Sequence, residues 1–371
     1  MNNADLANER AFAEVKRLCL MGLDSKTLRQ RVTERLSRAV PFEAYAAFTM
    51  DPSNGLITHA LQTIGDESGL RAFLERAFLE RVFFEDDVLE FDWMARNRLP
   101  VGLLSEAAEG QLEKAPRYRE LVGPLGYGYE LRGAFSTGAQ LWGGLALWRE
   151  KGRPDFGARE VAFVRRVAPH IAAGLRATTL QQELHDYRVD DEAAGVLVLD
   201  AWGMVVQHNA AAERRLEELG DLGRRWREGE GLPAPVWTVL GALKRSLKPQ
   251  TDGDLNGRPY LRVRARSGRW LTLQASMAER SHTRPAESVV IIGPAGPKEV
   301  LRLSAIGYGL SSREQEVVDL VVRGASTRQI SKTLHISEYT VKDHLKNIFG
   351  KVGVRGRRAL LKQLYLDTIL P

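Results

Sequence analysis

The chain opens at helical spacing. Between residues 4 and 40, Val15, Leu18 and Leu20 belong to one amphipathic stretch, and Leu28, Val32, Leu36 and Val40 mark a second at four-residue steps. Pro41 stops it, because a residue before proline is pushed out of the helical region. Residues 43–50 (EAYAAFTM) and 56–63 then read as strands around the turn Asp51-Pro52-Ser53-Asn54-Gly55. Residues 68–81 are helical in pattern. Residues 85–110 are irregular, with Pro100 and Gly102 among them. Strands follow at 126–136 and 139–148, joined by Thr137-Gly138, and a long helix runs from Ala158 to about Tyr187. The predicted order is helix, hairpin, helical insertion, hairpin and closing helix.

Asp190, Asp191 and Glu192 mark a polar break. Beyond it, 195–199 and 204–207 read as strands around Asp200-Ala201-Trp202-Gly203, and Asn209 caps a helix over 210–219. A further helix spans 232–247, after Pro233 and Pro235. Strands are predicted at 260–266, 270–276 and 288–292, with Ser267-Gly268 as the hairpin turn. Gly293-Pro294-Ala295-Gly296-Pro297 reads as a linker. No internal repeat stands out.

Three short helices, each with its own start signal, fit the next stretch. Ser311 stands three before Glu314, the spacing of a capping box. Glu314, Val317, Val318 and Val321 follow at helical steps, and Gly324 ends the helix. Ser326 caps a second helix with Ile330 and Leu334 facing inward. His335-Ile336 makes a tight turn, and Ser337 caps a third helix. There Val341, Leu345, Ile348 and Val352 share one face. Tyr339, Asp343, Lys346 and Gly350 share the other, with Lys342 on its shoulder. Helix, tight turn and a second helix with a polar outer face is the helix-turn-helix plan.

These residues resemble the LuxR-type (LuxR/FixJ) DNA-binding domain over about the last sixth of the chain. The resemblance rests on Leu310-Ser311-x-Arg313-Glu314, Gly324-x-Ser326, Ile336-Ser337-x-x-Thr340-Val341-Lys342-x-His344 and Asn347-Ile348-x-x-Lys351-Val352-Gly353-Val354. Ser331 departs from the family pattern, which usually has Ala there. The resemblance implies base reading by Lys342, Asp343 and Lys346. It implies phosphate contact or positioning by Ser326, Thr327, Arg328, Tyr339, Thr340 and Lys351. The runs VPFEAYAAFTMDPSNGLITHALQ and LWGGLALWREKGRPDFGAREVAFVRRVAPHIAAGL are similar to GAF-like α+β sensor domains. VLVLDAWGMVVQHNAAAERRL is similar to a PAS-like one. The expected domains are a GAF-like sensor at 1–188, a PAS-like domain at 189–293, a linker at 294–308 and an all-α LuxR-type head at 309–371.

Charge sharpens that picture. The formal net charge is +6, and residues 310–371 hold eleven cations against six anions, so nearly all of the excess lies in the last domain. Clustering of this kind suits a polyanion partner. Cys19 is the only cysteine, which excludes an intramolecular disulfide and a cysteine metal cluster. No apolar run is long enough to span a bilayer, and the first twelve residues lack the pattern of a signal peptide, so a cytoplasmic location is expected.

Candidate chemistry is sparse. His59, His170, His185, His208, His282, His335 and His344 form no HExxH or paired metal spacing, and neither a GxSxG elbow nor a P-loop is present. His185, in Glu183-Leu184-His185-Asp186, superficially resembles a phosphorylatable kinase histidine, but no ATP-binding region follows it and a helix-surface histidine is the better reading. Asp51 ends a strand as a receiver phosphoacceptor would. The chain before it lacks the acidic pair such a domain needs, which favours a turn aspartate. An acyl-homoserine-lactone domain pattern cannot be placed on the chain. Gly143-Gly144 either admits a ligand to the sheet or bends it. Tyr45, Phe48, Trp142 and Trp148 either line a pocket or fill a core. No ligand-binding residue, catalytic group, metal site or cofactor is assigned.

The expected function is a one-component, non-enzymatic transcription regulator that binds double-stranded DNA, with a small molecule or protein as effector of the first domain. The alternative is a signalling adaptor that chiefly binds a protein partner, with DNA binding secondary. A homodimer is expected. Val161, Val164, Val167 or Ala168, Ile171 and Leu175, continued by Leu180 and Leu184, have the spacing of a helix–helix seam, and equally of a helix packed on its own sheet. Effector, operator and direction of regulation have no signature in these residues.

Overall fold

A computed structural model describes residues 3–63, 88–180, 193–219, 232–247, 259–278 and 287–364. The expected helix over 68–81, His185, His282 and the far end of the long helix beyond Leu180 lie outside the described residues. The chain divides into two compact units, residues 1–178 with 191–294, and residues 179–190 with 295–371.

The first unit begins with α1 (Asn3–Leu20) and α2 (Ser25–Leu36). A five-stranded antiparallel sheet follows, in the order β2-β1-β5-β4-β3. Its strands are β1 (Ala44–Met50), β2 (Ile57–Gln62), β3 (Val101–Leu103), β4 (Tyr127–Thr137) and β5 (Gln140–Glu150). Between β2 and β4 lie α3 (Phe91–Arg96) and α4 (Leu104–Ala107), and a π-helical turn covers Tyr118–Val122. The irregular reading of 85–110 therefore needs correction. That stretch holds two short helices and an edge strand of three residues, too brief to show a period of two.

α5 (Ala158–Leu180) closes this sheet. Val164, Val167, Ala168, Ile171 and Leu175 are all buried within the chain. A Cβ at Gly143 would sit 2.5 Å from Leu175 Cδ1, and one at Gly133 would sit 3.5 Å from Val164 Cγ1. Of the two readings of this helix, packing on its own sheet accounts for these residues. On the sheet's opposite side a Cβ at Gly144 would lie 2.8 Å from the Phe91 ring. The paired glycines thus let protein side chains close on both faces of β5. Trp142 and Trp148 are buried, while Tyr45 and Phe48 are half-buried. Glu130, fully buried on that second side, accepts from Arg117 Nε at 2.9 Å and Arg132 Nε at 2.7 Å. The same arginines donate to the Val88 and Leu89 carbonyls, which ties the covering segment to the sheet.

The unit's second sheet is also antiparallel, in the order β7-β6-β10-β9-β8. Its strands are β6 (Gly195–Leu199), β7 (Val205–His208), β8 (Tyr260–Arg264), β9 (Trp270–Met277) and β10 (Ser288–Pro294). Counted from the first strand of each, the two sheets share one order, a topological repeat without a sequence repeat. α6 (Ala210–Glu218), capped by Asn209, and α7 (Ala234–Ser246) cover one face. Leu197, Leu261, Leu273 and Val290 pack there with Leu216, Val239 and Leu240.

The second unit contains α8 (Pro297–Gly307), α9 (Ser312–Val322), α10 (Thr327–Leu334), α11 (Glu338–Val352) and α12 (Arg357–Leu364). Residues 297–307, expected as linker, are a helix. Pro297 occupies its first turn, where a missing N–H costs nothing, and Glu299 reaches back to the Gly296 N–H at 2.6 Å. Leu301 and Ala305 join the core formed by Val317, Val321, Ile330, Val341, Leu345, Ile348 and Leu360.

Candidate nucleic-acid interface

The interface is built from local signals. Ser311 Oγ accepts from the Glu314 N–H at 3.3 Å, and Glu314 Oε2 accepts from the Ser311 N–H at 2.6 Å. Ser326 and Gln329 repeat this reciprocal pair at the start of α10, and Ser337 Oγ accepts from the Thr340 N–H at 3.0 Å at the start of α11. Each helix therefore begins where its own sequence dictates.

The turn between α10 and α11 is strained at one residue and held by two side chains. His335 adopts the left-handed region at φ 53°, where a side chain is strained and where Gly is the common choice. Ser331 Oγ donates to the Ile336 carbonyl at 2.5 Å. The residue that departs from the family pattern thus closes the turn. Arg313 Nη2 donates to the Leu334 carbonyl at 2.6 Å, fixing the end of α10 to the start of α9.

Every residue expected to read bases is exposed on α11. Lys342, Asp343 and Lys346 point away from the buried Val341, Leu345 and Ile348, and Tyr339, one turn earlier on the same side, is 81% exposed. Thr340 is half-buried and its hydroxyl lies 2.8 Å from Ser337 Oγ. Ser326 and Arg328 are exposed at the start of α10. The Thr327 hydroxyl accepts from Arg357 Nη2 at 3.0 Å. Arg357 also donates to the Ala325 carbonyl at 2.6 Å, a positioning role that its charge alone did not announce.

Lys351 differs from the other expected contacts. Its Nζ lies 2.6 Å from Glu314 Oε2, which joins the far end of α11 to the first turn of α9. Burial would raise the Glu314 carboxyl, but Lys351 and the Ser311 N–H outweigh it and hold it below its ordinary range. The lysine that resemblance marks as a phosphate neighbour is thus engaged in joining α11, the helix of the expected base readers, to α9.

Residues 308–363 match the family described as bacterial regulatory proteins, luxR family. The spore germination protein GerE of Bacillus subtilis is 42% identical over 55 residues, which are 15% of this chain and 74% of that protein. The chain belongs to the luxR family of bacterial regulatory proteins. In this LuxR-family chain the shared part is the four-helix head. The monoamine regulon transcriptional regulator of Klebsiella aerogenes is 42% identical over 59 residues, 16% of this chain and 26% of that one. The chain thus spans about a quarter of that relative's length. Among solved structures, the phage VqmA–DPO complex matches at 18% identity and a TM-score of 0.24, over 46% of this chain and 79% of that one. At that score the likeness bears on neither the domain arrangement nor a ligand.

Among the described residues, no group of three or more His, Cys, Asp or Glu side chains is placed to hold a metal ion. No helix among them is long and apolar enough to cross a membrane. Asp51, weighed above as a phosphoacceptor, is wholly buried and paired with Arg262. Cys19 is largely buried, which pushes its thiol up to about 12 and makes it a poor nucleophile.

Proposed function

We propose that this chain is a one-component transcription regulator in which sensor domains set how a LuxR-type head meets promoter DNA. The observation that carries the reading is the outer side of α11. Lys342, Asp343, Lys346 and Tyr339 are exposed together on a helix whose two ends are fixed, by the Ser331–Ile336 turn and by the Lys351–Glu314 pair. Lysine donates to guanine O6 and N7, and a carboxylate accepts from cytosine N4. Ser326, Thr327, Arg328 and Thr340 stand at two helix N-termini, where hydroxyls, a guanidinium and free N–H groups suit phosphate. Two heads on a two-fold operator, about one helical turn apart, would bind as a homodimer.

The sensor reading is supported by the shared strand order and by buried polar groups on the covered face of the first sheet. The indole N–H groups of Trp142 and Trp148 are buried and meet no acceptor among the described residues. Buried donors left unmatched are rare and costly, and an effector bearing an acceptor would satisfy the one it reaches. GAF-like and PAS-like folds fit the order of elements, and binding without turnover fits the absence of a catalytic constellation in the sequence. A gel shift over genomic fragments, repeated across salt concentrations, tests the main claim. Binding that is tight, sequence-selective and weakened by salt is expected. Absence of any shift would favour the adaptor reading instead.

A further inference from the structure

We propose that the turn joining β1 to β2 is a latch that makes the two five-stranded sheets a single responding body. Asp51 stands just past the end of β1, and Arg262 lies 211 residues away on β8, an edge strand of the second sheet. The buried carboxylate accepts from Arg262 Nε at 3.0 Å on one oxygen and from Arg262 Nη2 at 3.0 Å on the other. It also accepts the Arg262 backbone N–H at 3.1 Å. Ser53 holds the same carboxylate through its own N–H at 3.0 Å and hydroxyl at 2.6 Å. Asn54 Nδ2 donates to the Tyr260 carbonyl at 2.8 Å. Leu56, the last residue of the turn, is buried in the core of the second sheet.

Three kinds of contact therefore meet at one turn. The two-pronged ion pair is directional, so it accepts one orientation of guanidinium and carboxylate. The bonds to the Arg262 N–H and the Tyr260 carbonyl use backbone groups of an edge strand, which would otherwise offer themselves to other chains. The burial of Leu56 in the second sheet's core adds an apolar anchor beside these polar ones. A shift of β1 along its axis breaks all three at once unless β8 moves with it. A change of state in the first sheet is thereby carried to the second, whatever the effector and whether or not the head binds DNA.

Hydrogen exchange on the full chain, segment by segment, tests the latch. Asp51→Asn leaves the arginine buried without its counter-charge, and Arg262→Gln does the converse. Each is expected to speed exchange at least about tenfold in β8 and β9 as well as in β1 and β2, because sheets that share a latch open together. The double variant should exceed neither single by much, since one interaction has been removed in all three. Asn54→Ala buries no charge and serves if the charge variants do not fold. It should speed exchange a few-fold in the same four strands. Unchanged exchange across α9 to α12 shows that each variant is otherwise intact. Acceleration confined to β1 and β2, with β8 and β9 at the wild-type rate, would overturn the proposal.

Discussion

Lys351 Nζ lies 2.6 Å from the carboxylate of Glu314, and this contact ties the far end of α11 to the capping box of α9. A phosphate contact and a structural pair predict different outcomes for Lys351→Ala. Loss of a phosphate contact lowers the salt slope of DNA binding by about one unit. Loss of the pair leaves Glu314 buried with fewer donors and lowers head stability by about 1–2 kcal/mol, at the low end because the lysine side chain is 40% exposed. The expected result is a lower melting temperature with the salt slope kept. Paired melting and salt-titration curves on one preparation read both.

The same pair makes the head sensitive to acid. The Glu314 carboxyl is held below its ordinary value of 4.5, so the folded state favours the ionised form more than the unfolded state does. The stability this adds is complete above about 4.5 and is lost as pH falls through the lower folded value. Glu130, buried between Arg117 and Arg132, is lowered likewise and adds the same trend to the first sheet. Glu314→Gln should therefore be less stable than wild type at pH 7 and should flatten the acid loss that sets in as pH falls below about 4.5. An unfolding-versus-pH curve parallel to wild type would show that Glu314 contributes nothing to it.

Ile171→Glu with Leu175→Glu distinguishes a helix–helix seam from packing within the chain. Both residues are about 2% exposed within the chain itself, and Leu175 fills the space left by Gly143. Ile171→Glu with Leu175→Glu should cost several kcal/mol and unfold the first sheet, since each buries an unpaired charge. Circular dichroism beside sedimentation separates this from dissociation. A well-folded monomeric double variant would restore the seam.

Legibility followed the range of the interactions. The head was readable because its determinants are local. Ser311, Ser326 and Ser337 each announce a helix within four residues, and the buried faces repeat inside one element. Among the described residues the strands were largely readable from their apolar runs and the turns between them, but β3 was not, since three residues on an edge show no period. α8 was hidden by Gly-Pro punctuation that marks a first helical turn as readily as a loop. The Asp51–Arg262 pair lies beyond any local reading, because nothing in either segment names its partner. α5 shows the converse limit, where one spacing serves both a seam and intrachain packing.

Ser331 offers a test confined to the turn. Its hydroxyl donates to the Ile336 carbonyl, beside the strained His335. Ser331→Ala, toward the family's usual residue, should lower head stability by about 1 kcal/mol, the net worth of one hydrogen bond. DNA affinity should fall only as far as the folded fraction does. A variant with wild-type melting behaviour would show that the turn is held without this bond.

Base reading by α11 separates from general attraction through a comparison of two cations. Lys346 is exposed on the outer side of the helix, and Arg328 is exposed near the start of α10. A lysine that donates to guanine discriminates among sequences, whereas an arginine against phosphate attracts all of them alike. Lys346→Ala should cost about 1–3 kcal/mol on the true operator and relax preference at one base position. Arg328→Ala should weaken every sequence by a similar factor and lower the salt slope by about one unit. Selection of bound fragments from a random pool supplies the operator, and titrations of both variants on it and on scrambled DNA complete the comparison. Equal losses on operator and scrambled DNA for Lys346→Ala would assign that lysine to the non-specific field. The reading of sequence would then rest on Lys342 and Asp343, the other two expected readers exposed on that side of the helix.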